Sequence, residues 1–420
     1  MKFKVGIWLK DEYAATSGGG SSYYHRLIQY LDQYSFSEDL EISFIKETDK
    51  NKSSLNKEVL VLPEKSSFII NILRSISIFL AIFPGGAIIK DFINRFVIDR
   101  NKHAIWSEFL SEKVHLIYYP IHDQRVLANF PFISTNWDIG HISTHAFPEM
   151  SANGIFLSRD RRSKNIISQS IFTFVESEAG KNDLIKYYSL PKEKLKVVPI
   201  FAGNVIERKA SSLIVNGLQK HKYFLYPAQF WPHKNHYNLI LAFKKYKTSF
   251  QDETKLVFTG SDKGNLDYLK TVCLECEVDD DVLFLGFVTQ DTLNSLYSNA
   301  LSLVMPSFLG PTNMPLLEAR ELGCPVLCSD IAGQREMLEN GALFFNPLDS
   351  HSIFETLQSI RIPSLREGLL AKAKIVNETS KFKVSYSVKC IETYFLEAKD
   401  IRMCWGKTKG TKSLNIREVF

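Results

Sequence analysis

No stretch of this 420-residue chain is apolar for the roughly 20 residues that a membrane-spanning helix requires. The most apolar stretch, residues 75–89, is broken by Pro84, Gly85 and Gly86. With Arg74, Lys90 and Arg95 around it, that stretch reads either as a helix covering a sheet or as one lying on a membrane surface. Cysteine is scarce: six residues in all lack the density of a disulfide scaffold. The opening apolar run, residues 5–9, is too short for a secretory signal, so reduced thiols in a cytoplasmic protein are expected. An excess of one charge is also missing. The net charge is +5, and residues 399–420 contribute six basic against two acidic side chains, a surplus of four. The body is therefore nearly neutral, which argues against a nucleic-acid partner, while the basic tail is either solvated or in contact with anionic lipid at the inner face of the cell membrane. No repeat at a solenoid period is found. Cys273 and Cys276 form a Cys-x-x-Cys, with Cys324 and Cys328 as a second pair. The first pair falls in a helical stretch and the second straddles a strand, so no metal site is expected.

What is present is core material for two domains, since hydrophobic residues make up 45% of a chain longer than one core usually covers. From residue 224 onward, short apolar runs end in Gly, Pro or Ser: FLYPA (224–228), KLVFTG (255–260), VLFLG (282–286), LSLVM (301–305) and PVLC (325–328). Amphipathic segments between them, such as residues 237–250 and 266–277, are long enough for crossover helices. The pattern predicts βαβ units and a parallel sheet. The first half opens with KVGIWL (4–9), a glycine-rich turn and a helical stretch, and continues with HLIYY, FIST, IFTFV and KVVPI. The fold expected is α/β with two Rossmann-like doubly wound domains: residues 1–203, residues 204–390, and a C-terminal helix and basic tail over 391–420.

In doubly wound sheets ligands bind beyond the carboxyl ends of the strands, where helix N-termini offer free N–H groups to anions. Three segments occupy such positions. Gly18, Gly19 and Gly20 let a backbone approach a phosphate or sugar closely, although a plain turn would look the same. In the stretch from Pro227 to Asn235, Lys234 stands on a Pro-containing loop at a strand end, where an ammonium meets a diphosphate. His233 and His236 read as surface residues. In residues 306–319, Pro315 suits a first helical turn. The N–H groups of Asn313, Met314 and Leu316 are then expected to face an anion, and Glu318, one turn in, to accept ribose hydroxyls or merely to complement the helix dipole.

The succession Y-P-A-Q-F-W-P-H-K-N-H, F-T-G-S-D, F-L-G-F-V, P-S-F-L-G-P-T-N-M-P-L-L-E-A and L-G-C-P-V closely resembles the C-terminal half of family 4 retaining glycosyltransferases of GT-B fold, over about residues 223–347. The first half matches more loosely, through Gly18 to Gly20, W-D-I-G-H (137–141) and E-S-E-A-G (176–180). The resemblance implies a hexosyltransferase whose donor is a nucleotide-diphosphate sugar and whose acceptor is a saccharide or lipid-linked saccharide. It implies neither cofactor nor metal. Lys234 looks like the lysine that neutralises the diphosphate, and Glu318 like the second acid of the family's glutamate pair, holding ribose. Asp138 and His141 resemble the segment that closes over the donor sugar, with Gln229, Thr312 and Asn313 as further donor contacts. Two positions depart from the family: Gln229 replaces an arginine, and Gly310 replaces the first glutamate. Those losses keep open an inactive partner subunit of a polysaccharide assembly complex, and a sugar-nucleotide epimerase of the same fold is the other alternative.

Overall fold

The computed structural model describes residues 2–10, 19–48, 54–63, 100–122, 126, 127, 130–208 and 217–404. Gly18, the apolar stretch 75–89 and the tail beyond residue 404 lie outside the described residues.

The first domain carries β1 (Phe3–Trp8), β2 (Leu40–Lys46), β3 (Val59–Val61), β4 (Leu116–Tyr118), β5 (Phe132–Asn136), β6 (Thr173–Val175) and β7 (Leu195–Val197). The second carries β8 (Tyr223–Pro227), β9 (Lys255–Thr259), β10 (Val282–Phe284), β11 (Ser302–Met305), β12 (Val326–Ser329) and β13 (Leu343–Phe345). The sheet orders are β3-β2-β1-β4-β5-β6-β7 and β10-β9-β8-β11-β12-β13, and the strand pairs are parallel throughout. Burial on both faces explains why strands such as β8 and β11 are nearly unbroken apolar runs, with Phe224, Leu225, Leu303 and Val304 fully buried. In both sheets the order reverses beside the first strand, between β1 and β4 and between β8 and β11. A doubly wound sheet opens its ligand crevice at that switch, on the carboxyl-terminal side.

The predicted helices are present at His236–Phe250 and Leu266–Glu275. The final helix, Val384–Arg402, starts earlier than residue 391 and lies against the first domain. Phe395 packs on Phe36 and Tyr118 with ring centroids 6.4 and 5.6 Å away, and Glu392 accepts from the Tyr34 hydroxyl at 2.9 Å. Elsewhere between the domains, Glu336 of the second accepts the amides of Glu178 and Ala179 at 3.1 and 3.0 Å, which caps the helix Glu178–Tyr188 of the first. Among the described residues no helix is long and apolar enough to cross a membrane.

Candidate active site

A cleft of about 560 Å³ separates the two domains, and the carboxyl ends of β8 and β11 open into it. Beyond Pro227, the last residue of β8, the chain makes a short turn over Pro232–Lys234 and then passes through Asn235 at φ 61°. Asparagine tolerates that left-handed backbone, and here its side chain also donates to the carbonyls of Pro306 and Pro347 at 2.9 and 2.8 Å. The Tyr226 hydroxyl donates to the Lys234 carbonyl at 2.8 Å, so the loop is fixed from below. The Lys234 ammonium enters the cleft and donates to Asn313 Oδ1 at 3.3 Å. Burial pushes its pKa down to about 8, against the opposing pull of the Asp138 and Glu149 carboxylates.

The facing wall is the start of the helix Met314–Glu321. The expected set of free amides is smaller than the sequence suggested. The Leu316 N–H donates to the Asn313 carbonyl at 3.1 Å and its side chain is fully buried, because the first turn tightens around Pro315, which has no N–H of its own. The Asn313 and Met314 amides remain. Gly310 adopts φ 125°, and a Cβ there would meet the Thr312 carbonyl oxygen at 2.7 Å and Asn313 Nδ2 at 2.6 Å. Glycine in place of the first glutamate of the resembled pattern therefore goes with a backbone that resists any side chain at this position. Gln229 lines the same cleft and accepts from Trp231 Nε1 at 3.0 Å.

Glu318 is buried at the cleft floor, where Oε2 accepts from the Tyr297 hydroxyl at 2.9 Å. Burial raises its pKa to about 7, although the Tyr297 hydroxyl, the Gly203 amide and Arg26 all favour the carboxylate. From the first domain, Gly19 and Gly20 line the cleft, and a Cβ on Gly19 would come within 2.4 Å of the Met314 methyl group. Glycine is what lets the domains approach there. Thr312, Met314 and Pro315 line the opposite side.

Asp138 also lines the cleft; its Oδ1 accepts from the Gly140 amide at 2.7 Å and from Arg159 Nη2 at 3.0 Å. His141 does not line it. Its ring is 1% exposed, with Nε2 3.2 Å from the Tyr188 hydroxyl and Phe156 at its edge, so the helix Gly140–Ser143 turns it into the first domain. The surface reading of His233 and His236 is corrected as well: both are buried, His233 against Glu149 and His236 among Tyr226, Phe230 and Phe258. Burial, first of all, drives the His236 pKa down to about 3, so that ring is neutral packing material.

Several lining residues escaped the sequence reading. Glu149, Arg159, Trp231 and Tyr297 all face the cleft, the first two from the opposite domain. Only Glu149 left a local sign, the Pro148 that opens its short helix. Among the described residues no three His, Cys, Asp or Glu side chains gather as a metal site, and Cys273, Cys276, Cys324 and Cys328 are free thiols.

Residues 209–362 match the family described as glycosyl transferases group 1. The O-antigen chain mannosyltransferase RfbU of Salmonella typhimurium is 33% identical over 185 residues, 43% of this chain and 48% of that protein. The O-antigen chain mannosyltransferase B of Escherichia coli is 24% identical over 212 residues, 49% and 55% of the two. The chain thus spans about half the length of these curated relatives. HepE of Anabaena, solved in complex with UDP and glucose, superposes with a TM-score of 0.65 at 15% identity, over 94% of this chain and 100% of that one, a likeness of fold. Residues 209–362 are thus similar to the group 1 glycosyl transferases, and the two parallel Rossmann-like sheets give the chain the GT-B fold.

Proposed function

We propose that the chain is a retaining hexosyltransferase that moves a sugar from a nucleotide-diphosphate donor to a growing surface polysaccharide or lipid-linked oligosaccharide. The observation that carries this reading is convergence: the Lys234 ammonium and the amide start of Met314–Glu321 meet across Asn313 in one cleft. A diphosphate placed there would face a positive charge and unspent N–H groups together. The names of the two O-antigen relatives favour a mannosyl donor, and the UDP held by HepE supports a nucleoside diphosphate in such a fold.

In this reading the donor C1–O bond breaks, the acceptor oxygen bonds to C1 on the same face of the sugar, and the departing diphosphate takes the acceptor's proton. The protein supplies no nucleophile and no metal. It stabilises the leaving group through Lys234, Gln229 and the helix amides, as a preorganised electrostatic site does. Glu318 takes the ribose hydroxyls, and Asp138 and the glycines Gly19 and Gly20 bound the sugar side. Transfer would take place on the cytoplasmic side, where the acceptor lipid is presented.

The backbone at Gly310 and the uncharged Gln229 keep the inactive-subunit alternative specific. Incubation of the chain with GDP-mannose or UDP-hexoses and a lipid-linked saccharide tests the reading. Acceptor-dependent release of nucleoside diphosphate is expected. Conversion of the donor without acceptor would instead indicate an epimerase, and no release from any donor an inactive subunit.

A further inference from the structure

We infer that Glu149 is an interdomain positioning residue, which closes the first domain onto the second by clasping His233 and thereby sets the Lys234 loop for its task. The inference rests on the proposed role of Lys234. Glu149 sits on the helix Pro148–Ser151 of the first domain, while His233 precedes Lys234 on the loop that follows β8. A single carboxylate oxygen, Oε1, accepts both the His233 amide at 2.9 Å and His233 Nδ1 at 2.6 Å. The two side chains are only 8% and 7% exposed, so the clasp is made in a nearly dry interface. There a charge-assisted bond is strong, and an abandoned partner is costly. Burial and the hydrogen bonds from His233 act oppositely on Glu149, and the bonds win, holding it below the usual carboxylate range. Burial lowers His233, so the pair is a carboxylate and a neutral imidazole whose Nδ1 carries the proton.

The clasp reaches both donor loops. The His233 carbonyl accepts the Phe308 amide at 2.9 Å, and Phe147, one residue before the short helix, stacks on Phe308 at 5.4 Å and meets the His233 ring at 6.4 Å. One turn of the first domain thus grips the Lys234 loop and the loop leading to Asn313 together. Glu149 also acts on the ammonium itself. The charged and titratable groups around Lys234 are Asp138, Glu149, His233 and His236, and of these only the two carboxylates support its charge.

The test uses the full chain with Glu149→Ala, Glu149→Gln and His233→Ala, and GDP and UDP as probes. In solution scattering without ligand, Glu149→Ala is expected to enlarge the radius of gyration. Glu149→Gln stays compact, since its amide oxygen still accepts both bonds. In calorimetry across pH, wild-type binding falls as Lys234 deprotonates near pH 8. Both Glu149 variants lose a charge that supports the ammonium, so their alkaline midpoint moves to lower pH. Glu149→Ala also binds about tenfold more weakly at neutral pH, as for a lost charge-assisted bond. A residue that merely packs would not move that midpoint. If Glu149→Ala fails to fold, His233→Ala carries the scattering arm and Glu149→Gln the pH arm. Unchanged compactness of Glu149→Ala, or an unchanged midpoint in the Glu149 variants, overturns the inference. If the wild type binds neither nucleotide, the proposed function is what fails, and scattering alone decides the clasp.

Discussion

Lys234 stands under two opposed influences, a desolvating cleft that favours the neutral amine and the carboxylates of Asp138 and Glu149 that favour the ammonium. With a pKa of about 8, the charge is present at neutral pH and lost above it, so transferase activity should fall on an alkaline limb near pH 8. Lys234→Ala should lower turnover by about a hundredfold, as for one preorganised donor removed, and steady-state kinetics checks it. Unchanged transfer would remove Lys234 from the mechanism. Glu318 has the reverse sign of interest. Burial lifts its pKa from 4.5 to about 7, so the stability it gains from binding a proton is complete below pH 4.5 and lost as pH rises through 7. Glu318→Gln mimics the protonated form. Its Tm should exceed that of the wild type at pH 8, with the gain vanishing toward pH 4.5, while nucleotide binding weakens. An equal Tm difference at both pH values would contradict that account.

Among elements, the loop from Gly310 to Asn313 carries the departure at Gly310 from the family that residues 209–362 resemble. The backbone at Gly310 is positive in φ and crowded by Thr312 and Asn313. Restoring the family's glutamate with Gly310→Glu should therefore lower both Tm and transfer activity; a gain in activity would show that the loop can adopt the family's path. The same loop passes Gly333 on the helix Ala332–Leu338, where a Cβ would lie 1.3 Å from the Pro311 carbonyl oxygen. Gly333→Ala must displace the loop, and weaker nucleotide binding is the expected outcome by calorimetry.

At the scale of the whole molecule, the helix Val384–Arg402 fastens the second domain to the first through Phe395, which is fully buried. Phe395→Ala should cost about 3–5 kcal/mol, the range for a core phenylalanine, and should loosen the helix from Phe36 and Tyr118. Denaturant unfolding and exchange protection of that helix measure both. A loss under about 1 kcal/mol would mean that the helix does not couple the domains.

The amino-acid order alone determined the α/β class, the lysine loop at a strand end and the helix start at Met314, because apolar period, Pro and Gly act within a few residues. It passed over β3 and β13, each only three residues long, and β2, whose apolar run is bounded by charge. Tertiary structure decided the rest: that His141 faces Tyr188 instead of the cleft, and that Glu149 meets His233 from 84 positions away. The Glu149–His233 pairing follows from how the two sheets face each other, and no local pattern of residues encodes the distance between domains.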